Sequence, residues 1–445
     1  MKISVVGLGK IGLPLAVQFA SKGFEVFGAD INEDLVQKVN SGIEPFPGEL
    51  NLGKKLQSVI VAGKLTATID TTYAVSQSDV VVVVVPLFVN DLGIPDFEWM
   101  DQATKSIAQG LKPNTLISYE TTLPVGTTRN RFAPAIEKIS GLKAGIDFHL
   151  VFSPERVSTG RVFADLRKYP KLVGGINEVS AALGKKFYEE VLDFDSRPDL
   201  DRDNGVWDLE SCEASELAKL AETTYRDVNI ALANQFAIFS ESHGIDVHRV
   251  INASNSQPYS HIHRPGIAVG GHCIPIYPQF YLWNDPAASV VSAARIANVA
   301  MPAHVVNTLA RIHGDLQGQR VVVLGVAYRG EVKESAFSGV FPTVETLIGL
   351  GANVFVHDPM YIDIELEELG FSAYHYGDSI DAVIVHTDHA EYREIVSAQF
   401  PEVKTILDGR GITNESNWIG VRYHVLGRAL DTQTPYSNKF NRHLG

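Results

Sequence analysis

The feature that most constrains this chain is the hexad Gly7-Leu8-Gly9-Lys10-Ile11-Gly12, set between two short apolar runs. Lys2 to Val6 reads as a buried strand, Leu13 to Lys22 as a helix, and Phe24 to Ala29 as a second strand ending on Asp30. Strand, glycine turn, helix, strand and acidic residue, in that order, are the context a dinucleotide fingerprint requires. Gly7 makes the tight turn, Gly9 lets a pyrophosphate approach the backbone, and Gly12 lets the helix pack on the sheet. Lys10 and Ile11 complete the turn, and the helix N-terminus offers N–H groups to an anion. Asp30 suits the hydroxyls of a ribose and repels a 2′-phosphate, so NAD is expected rather than NADP. A structural glycine turn in some other α/β protein is the competing explanation.

More units of the same kind follow. Val80 to Val85 is a continuous β-branched run, typical of a strand covered on both faces. Pro86 ends it and is assigned, with Thr122, to the cofactor site. Thr115 to Tyr119 is a further strand running into Glu120-Thr121-Thr122 and then Pro124-Val125-Gly126-Thr127-Thr128. His149 to Phe152 is another, and it delivers Ser153-Pro154-Glu155-Arg156. Ligands of open α/β sheets sit beyond the carboxyl ends of the strands, where Asp30, Thr122 and Glu155 all fall. Turns and helix caps are the commoner fate of such residues. Glu155 is the best catalytic candidate of the three.

A chain of 445 residues exceeds one core and implies two or three domains. Asp193 to Asp208, rich in Asp, Arg, Pro and Gly, reads as a connection between domains. Glu213 to His243 then holds neither Gly nor Pro and reads as one helix roughly 45 Å long. Such a helix suits a spine between domains and a dimer contact. Lys219 lies within its apolar side, either snorkelling its stem over that surface or facing a ligand as a buried ammonium. A second helix is expected from Ala287 to about His313, interrupted at Pro302. Strands over Gly318–Leu324, Asn353–Val356, Ala382–His386 and Thr405–Leu407 form a second sheet without the GxGxxG spacing. The domains expected are 1–200, 201–313 and 314–445.

The net charge of −14 argues against a nucleic-acid or acidic-membrane partner. Cys212 and Cys273 are the only cysteines, too few for a disulfide framework or a metal-type cluster, so no metal is expected. No signal-peptide layout is read at Met1, and Val80 to Val85 is far too short to span a bilayer. A cytoplasmic protein is expected. Gly270-Gly271-His272-Cys273-Ile274-Pro275 sets one cysteine after a glycine pair, where a ligand can come close. A thiolate there is a plausible nucleophile, although a lone cysteine is more often a small buried apolar residue.

Together these motifs resemble the nucleotide-sugar 6-dehydrogenases, the UDP-glucose/GDP-mannose dehydrogenase family. The resemblance rests on the Gly7–Gly12 hexad, Glu120-Thr121-Thr122, Ser153-Pro154-Glu155-Arg156, Lys219 in Glu216-Leu-Ala-Lys-Leu, Tyr225-Arg226-Asp227-Val228-Asn229-Ile230 and the Cys273 stretch, in that order. It continues through Gly325-Val326-Ala327-Tyr328-Arg329-Gly330, Asp358-Pro359 and Asp408-Gly409-Arg410. It implies two Rossmann-like α/β domains joined by a long central helix, a homodimer, and NAD-dependent four-electron oxidation of a sugar C6 alcohol. In that chemistry Cys273 forms a thioester, Lys219 stabilises an oxyanion, Glu155 is a base and Thr122 places a water. The nucleotide sugar would meet Glu155, Lys219, Thr223, Arg264, Gly270, Arg329 and Arg410. Tyr277 stands where the family has an Asp, Thr223 where it has an Asn, Tyr259 where it has an Arg, and Arg329 where it has a Lys. Two alternatives compete: a two-electron NAD-dependent dehydrogenase of the same superfamily, and a nucleotide-sugar-binding protein with lost or partial catalysis.

Overall fold

The computed structural model describes residues 1–429 apart from Pro47 and Asp91. Contacts divide the described residues into two compact units: residues 1–223 with 279–287, and residues 224–278 with 288–429.

The first unit is built on one eight-stranded sheet. Its strands are β1 (Lys2–Val6), β2 (Glu25–Ala29), β3 (Leu65–Thr68), β4 (Val80–Val83), β5 (Leu116–Tyr119), β6 (His149–Phe152), β7 (Lys171–Gly175) and β8 (Val206–Ser211). They lie in the order β8-β7-β6-β5-β4-β1-β2-β3. β1 to β6 are mutually parallel, and β7 with β8 runs the other way. The four valines of β4 are all buried, as a central parallel strand requires. Register pairing ends at Val83 rather than Val85, with the Val84 N–H still donating to the Val6 carbonyl at 2.8 Å. β1 has β2 on one side and β4 on the other, so the strand order reverses there and opens a crevice at their carboxyl ends.

The segment Asp193 to Asp208, expected as an interdomain connection, belongs to this unit. Several of its side chains are fastened: Asp195 accepts from Arg167, and Arg197 donates to the Lys168 carbonyl. Asn204 donates to the carbonyls of Arg167 and Asp195, and the segment ends in edge strand β8. Composition alone could not reveal those partners.

A single helix runs over Cys212–His243, 32 residues or about 48 Å, and carries the chain from the first unit into the second. The expected helix from Ala287 to His313 is two, Ser289–Val299 and Met301–His313, meeting at Ala300. Pro302 sits in the first turn of the latter, where a missing N–H breaks no helical bond. By length and composition, Ser289–His313 is apolar enough to cross a membrane, and 44% of its most apolar window is buried inside the protein.

The second sheet contains β9 (Arg320–Leu324), β10 (Asn353–His357), β11 (Ala382–Val385), β12 (Thr405–Asp408) and β13 (Arg422–Val425), all parallel, in the order β10-β9-β11-β12-β13. Alternate residues point to opposite faces. Val321, Val323, Ile384 and Leu407 therefore join one core with Val305, Leu309 and Leu347. Val322, Leu324, Val383 and Ile406 join the other with Phe400 and Trp418. Helices or loops cover both faces, as in the first unit.

Candidate active site

In the first unit the glycine turn has the form a dinucleotide needs. Gly7 has φ +92°, and a Cβ there would lie 2.9 Å from the Val84 carbonyl oxygen. A Cβ on Gly12 would collide with the Gly7 carbonyl, whereas one on Gly9 would meet nothing within 4 Å. Gly9 is therefore the open face of the turn. No side chain caps the helix Gly12–Ser21 at Ile11, and its first turn holds no acidic residue, which leaves N–H donors for an anion. Lys10 and Pro86 are exposed. Asp30 Oδ2 accepts from the Leu8 N–H at 2.8 Å and Oδ1 from the Asn32 N–H at 2.9 Å. A carboxylate has about four lone-pair sites, so Asp30 ties the turn to β2 and still has acceptors for a ribose.

In the same unit Thr122 follows β5, Glu155 follows β6, and the long helix carries Lys219, whose charge reaches Glu155, and Thr223. Thr122 is buried, on the loop that runs through Pro124 to Thr128. That loop is fastened by Glu216 on the long helix, which accepts from the Gly126 N–H (2.5 Å), the Thr128 N–H (2.9 Å) and the Thr128 hydroxyl (2.7 Å). Burial pushes the Glu216 carboxyl up to about 7 against those donors. A π-helical turn over Thr128–Phe132 follows, a distortion often found at functional sites. Lys219, one turn beyond Glu216, is buried and lies 3.6 Å from Glu222. Glu222 also accepts from Arg156 Nε at 2.8 Å, which links the helix to the Ser153–Arg156 loop. The Thr223 hydroxyl donates to the carbonyls of Lys219 and Leu220, so its proton is engaged within the helix.

Glu155 is held by three donors. Its Oε1 accepts the N–H groups of Arg156 (2.7 Å) and Val157 (3.2 Å), and its Oε2 accepts Lys171 Nζ at 2.9 Å. Lys171 also donates to Glu120 Oε2 at 2.7 Å, and Glu120 Oε1 accepts the Tyr188 hydroxyl at 2.6 Å. Burial pushes Glu155 up, but Lys171, the Arg156 N–H and the charge of Lys219 outweigh it and hold the carboxyl below its ordinary range. Glu120 goes the other way, because burial and the neighbouring Glu155 outweigh Lys171. One ammonium cannot fully compensate two carboxylates, and Glu155 has the better set of donors. The sequence reading missed Lys171. It opens a short run, Lys-Leu-Val-Gly-Gly, whose only signal is that of a strand.

In the second unit Cys273 is exposed, whereas Cys212 of the first is buried against the Gly174 carbonyl. The loop before Cys273 is seated on the turn that follows β9. Gly271 has φ +86° and donates its N–H to the Ala336 carbonyl at 2.9 Å. A Cβ on Gly270 would lie 2.5 Å from Tyr328 Cβ and 2.9 Å from the Phe337 carbonyl oxygen. Both glycines are needed for this close approach. Further back, the Gly266 N–H donates to Asn234, which bonds Asn298, which in turn bonds Asp227 beside Arg295. Asp227 of the Tyr225–Ile230 motif and Asn298 of the helix Ser289–Val299 therefore anchor the same loop through Asn234.

Cations of this unit lie around it. Asp408 accepts the N–H groups of Arg410, Gly411, Ile412 and Thr413, shaping the Asp-Gly-Arg turn. Arg410 pairs with Asp388 at 3.1 Å. Arg329 is exposed, 5.8 Å from the Tyr328 ring. Arg264 donates to Asn252 and to the His248 carbonyl. Tyr277 donates its N–H to the Cys273 carbonyl and starts the helix Tyr277–Asn284. No cluster of three or more His, Cys, Asp or Glu suited to a metal occurs among the described residues.

Comparison with known proteins gives three matching family models. They are the UDP-glucose/GDP-mannose dehydrogenase family's NAD binding domain over residues 1–192, central domain over 213–301 and UDP binding domain over 322–415. A UDP-N-acetyl-D-mannosamine dehydrogenase from Pyrococcus horikoshii is 33% identical over 438 residues, covering 96% of this chain and 99% of that protein. One from Methanocaldococcus jannaschii is 31% identical, with 96% of each covered. Among solved structures, the UDP-D-ManNAc dehydrogenase of Pyrococcus horikoshii superposes with a TM-score of 0.85 at 32% identity, covering 96% of this chain and 99% of that one. The UDP-N-acetyl-mannosamine dehydrogenase of Staphylococcus aureus gives 0.82 at 31% identity, with coverage of 96% and 99%. The chain belongs to the UDP-glucose/GDP-mannose dehydrogenase family and carries its NAD-binding domain.

Proposed function

We propose that this chain is an NAD-dependent nucleotide-sugar 6-dehydrogenase that oxidises the C6 alcohol of a UDP-sugar to a uronate through a thioester on Cys273. The observation that carries this is the exposed Cys273 thiol, on a loop whose glycines lie against Tyr328 and Ala336 of the turn after β9. A UDP-N-acetylhexosamine is favoured over UDP-glucose, since the similar proteins above are named for UDP-N-acetyl-D-mannosamine.

The C6 carbon would give up two hydrides in turn, and the Gly7–Gly12 turn would hold the NAD that supplies an acceptor for each. Between them the Cys273 thiolate adds to the aldehyde carbon, and Lys219 stabilises the oxyanion that forms. Loss of the second hydride leaves the acyl group on Sγ. A water placed by Thr122 and deprotonated by Glu155 attacks that acyl carbon, the C–S bond breaks, and Sγ leaves as the thiolate. One sugar thus reduces two NAD and consumes one water. Gly270, Thr223, Arg264, Arg329 and Arg410 contact the nucleotide sugar, the arginines offering planar forks to its diphosphate.

Domains over 1–200, 201–313 and 314–445 would bind NAD, dimerise and bind the nucleotide, respectively. Two free thiols suit a reducing compartment, the cytoplasm. The test is NADH released per sugar across UDP-N-acetyl-D-mannosamine, UDP-N-acetyl-D-glucosamine, UDP-glucose and GDP-mannose. Two NADH per UDP-sugar supports the proposal. One would mean an alcohol dehydrogenase, and none with retained binding would mean a nucleotide-sugar-binding protein, the alternative that Tyr277 and Thr223 favour.

A further inference from the structure

We propose that Lys171 is a positioning residue for this reaction: it fixes and keeps ionised the Glu155 carboxylate, with Glu120 behind it as an anchor. The inference rests on Glu155 acting as the base. Lys171 reaches Glu155 because β7 runs antiparallel to β6 in a register that pairs Phe152 with Gly174, which carries the start of β7 past the end of β6 to the level of Glu155. The three side chains are nearly closed to solvent, with exposures of 5% for Lys171, 0% for Glu120 and 11% for Glu155. Glu155 is thus the one member with an opening, and Lys171 stands at its back.

The charge count argues against a pair kept only for stability. Buried ion pairs add little over well-packed apolar groups, and here two carboxylates share the one ammonium that bonds them, with Glu120 shifted toward its protonated form and Glu155 left as the charged partner. Around it stand Tyr188, whose hydroxyl bonds Glu120 and whose ring lies 4.9 Å from Lys171 Nζ, and Lys219 from the long helix, whose charge reaches Glu155. The Arg156 guanidinium turns away, to Glu222 and the Pro170 carbonyl. A Glu155 without Lys171 would keep its two backbone donors and gain proton affinity, and so would lose the base form as pH falls.

The test compares pH profiles of kcat for uronate formation from UDP-N-acetyl-D-mannosamine and NAD. The parent is set against Lys171→Met, Lys171→Arg, Glu120→Gln, Lys171→Met/Glu120→Gln and Glu155→Gln, with NAD and UDP binding by calorimetry as the check on folding. Lys171→Met is expected to move the acid limb up by about one pH unit or more, a loss of about tenfold on that limb that is recovered at higher pH. Lys171→Arg keeps the limb near the parent's, and Glu120→Gln, which removes a like charge, leaves it there or lower. The double variant preserves the cluster's net charge and decides the matter if Lys171→Met alone does not fold. An unmoved limb in folded Lys171→Met or in the folded double variant, with Glu155→Gln inactive, overturns the role of Lys171. Parental turnover by Glu155→Gln would instead overturn Glu155 as the base.

Discussion

Asp30 and Lys171 show what a single residue can and cannot announce. Asp30 was found because a carboxylate at the end of the second strand has one chemical consequence: it suits a ribose and repels a 2′-phosphate. Asp30→Ala is expected to narrow the NAD/NADP preference, measured as the ratio of kcat/KM values. It should also loosen the turn, since the Leu8 and Asn32 N–H groups lose their acceptor. Equal turnover of the parent with NADP would contradict the assignment. Gly7 and Gly12 were legible because backbone sterics leave few substitutes where a Cβ meets backbone atoms. Lys171 was not, because its meaning comes from a strand pairing that no local pattern encodes. Glu216 lay within a motif quoted for Lys219, yet its role as the clamp of the Gly126–Thr128 loop needed coordinates.

At the scale of elements, strands with continuous apolar runs were the readable part, and edge strands the unreadable part. β4 and β9 bury every apolar position and announce themselves. β8 alternates with charged residues inside a stretch that looks like a linker, and only its pairing with β7 makes it a strand. The loop before Cys273 gives the sharpest prediction here. Gly270→Ala forces a Cβ against Tyr328 and the Phe337 carbonyl, an overpacking of about 1–3 kcal/mol. Thermal unfolding should report that loss, and kcat should fall more than nucleotide affinity, because the displaced element carries the thiol. An unchanged kcat would separate the loop from the chemistry.

The long helix ends in a titration prediction. Burial pushes Glu241 up, but hydrogen bonds from His304 and the Gly427 N–H, with His424 3.8 Å away, hold its carboxyl at about 2. Its folded value lies below the unfolded one, so the stabilisation is present above the ordinary carboxylate range and is lost as pH falls towards about 2. The contribution is about 3 kcal/mol in that sense. Denaturant unfolding should show Glu241→Gln destabilised at pH 6 and the gap to the parent closing below pH 4. A gap that persists at low pH would mean that packing, not charge, is what Glu241 supplies.

For the whole molecule, the exposed stripe Tyr225, Leu232, Phe236 and Phe239 follows one face of the long helix at helical spacing. Apolar surface of that kind marks an interaction site, and a second copy of the chain is the proposed occupant. Sedimentation should give a dimer, and Leu232→Glu with Phe236→Glu a monomer. A monomeric parent would remove the proposal.

The thioester is the centre of the proposed chemistry, and Cys273→Ser tests it most directly. The first oxidation, alcohol to aldehyde, needs no thiolate, so NAD and UDP binding should survive the change. The second oxidation needs a nucleophile that a serine hydroxyl replaces poorly near neutral pH. Mass spectrometry of the variant after incubation with NAD and UDP-N-acetyl-D-mannosamine should show a stalled aldehyde or a trapped adduct at position 273 in place of the uronate. Uronate formed at the parental rate would contradict the thioester and leave Cys273 a bystander.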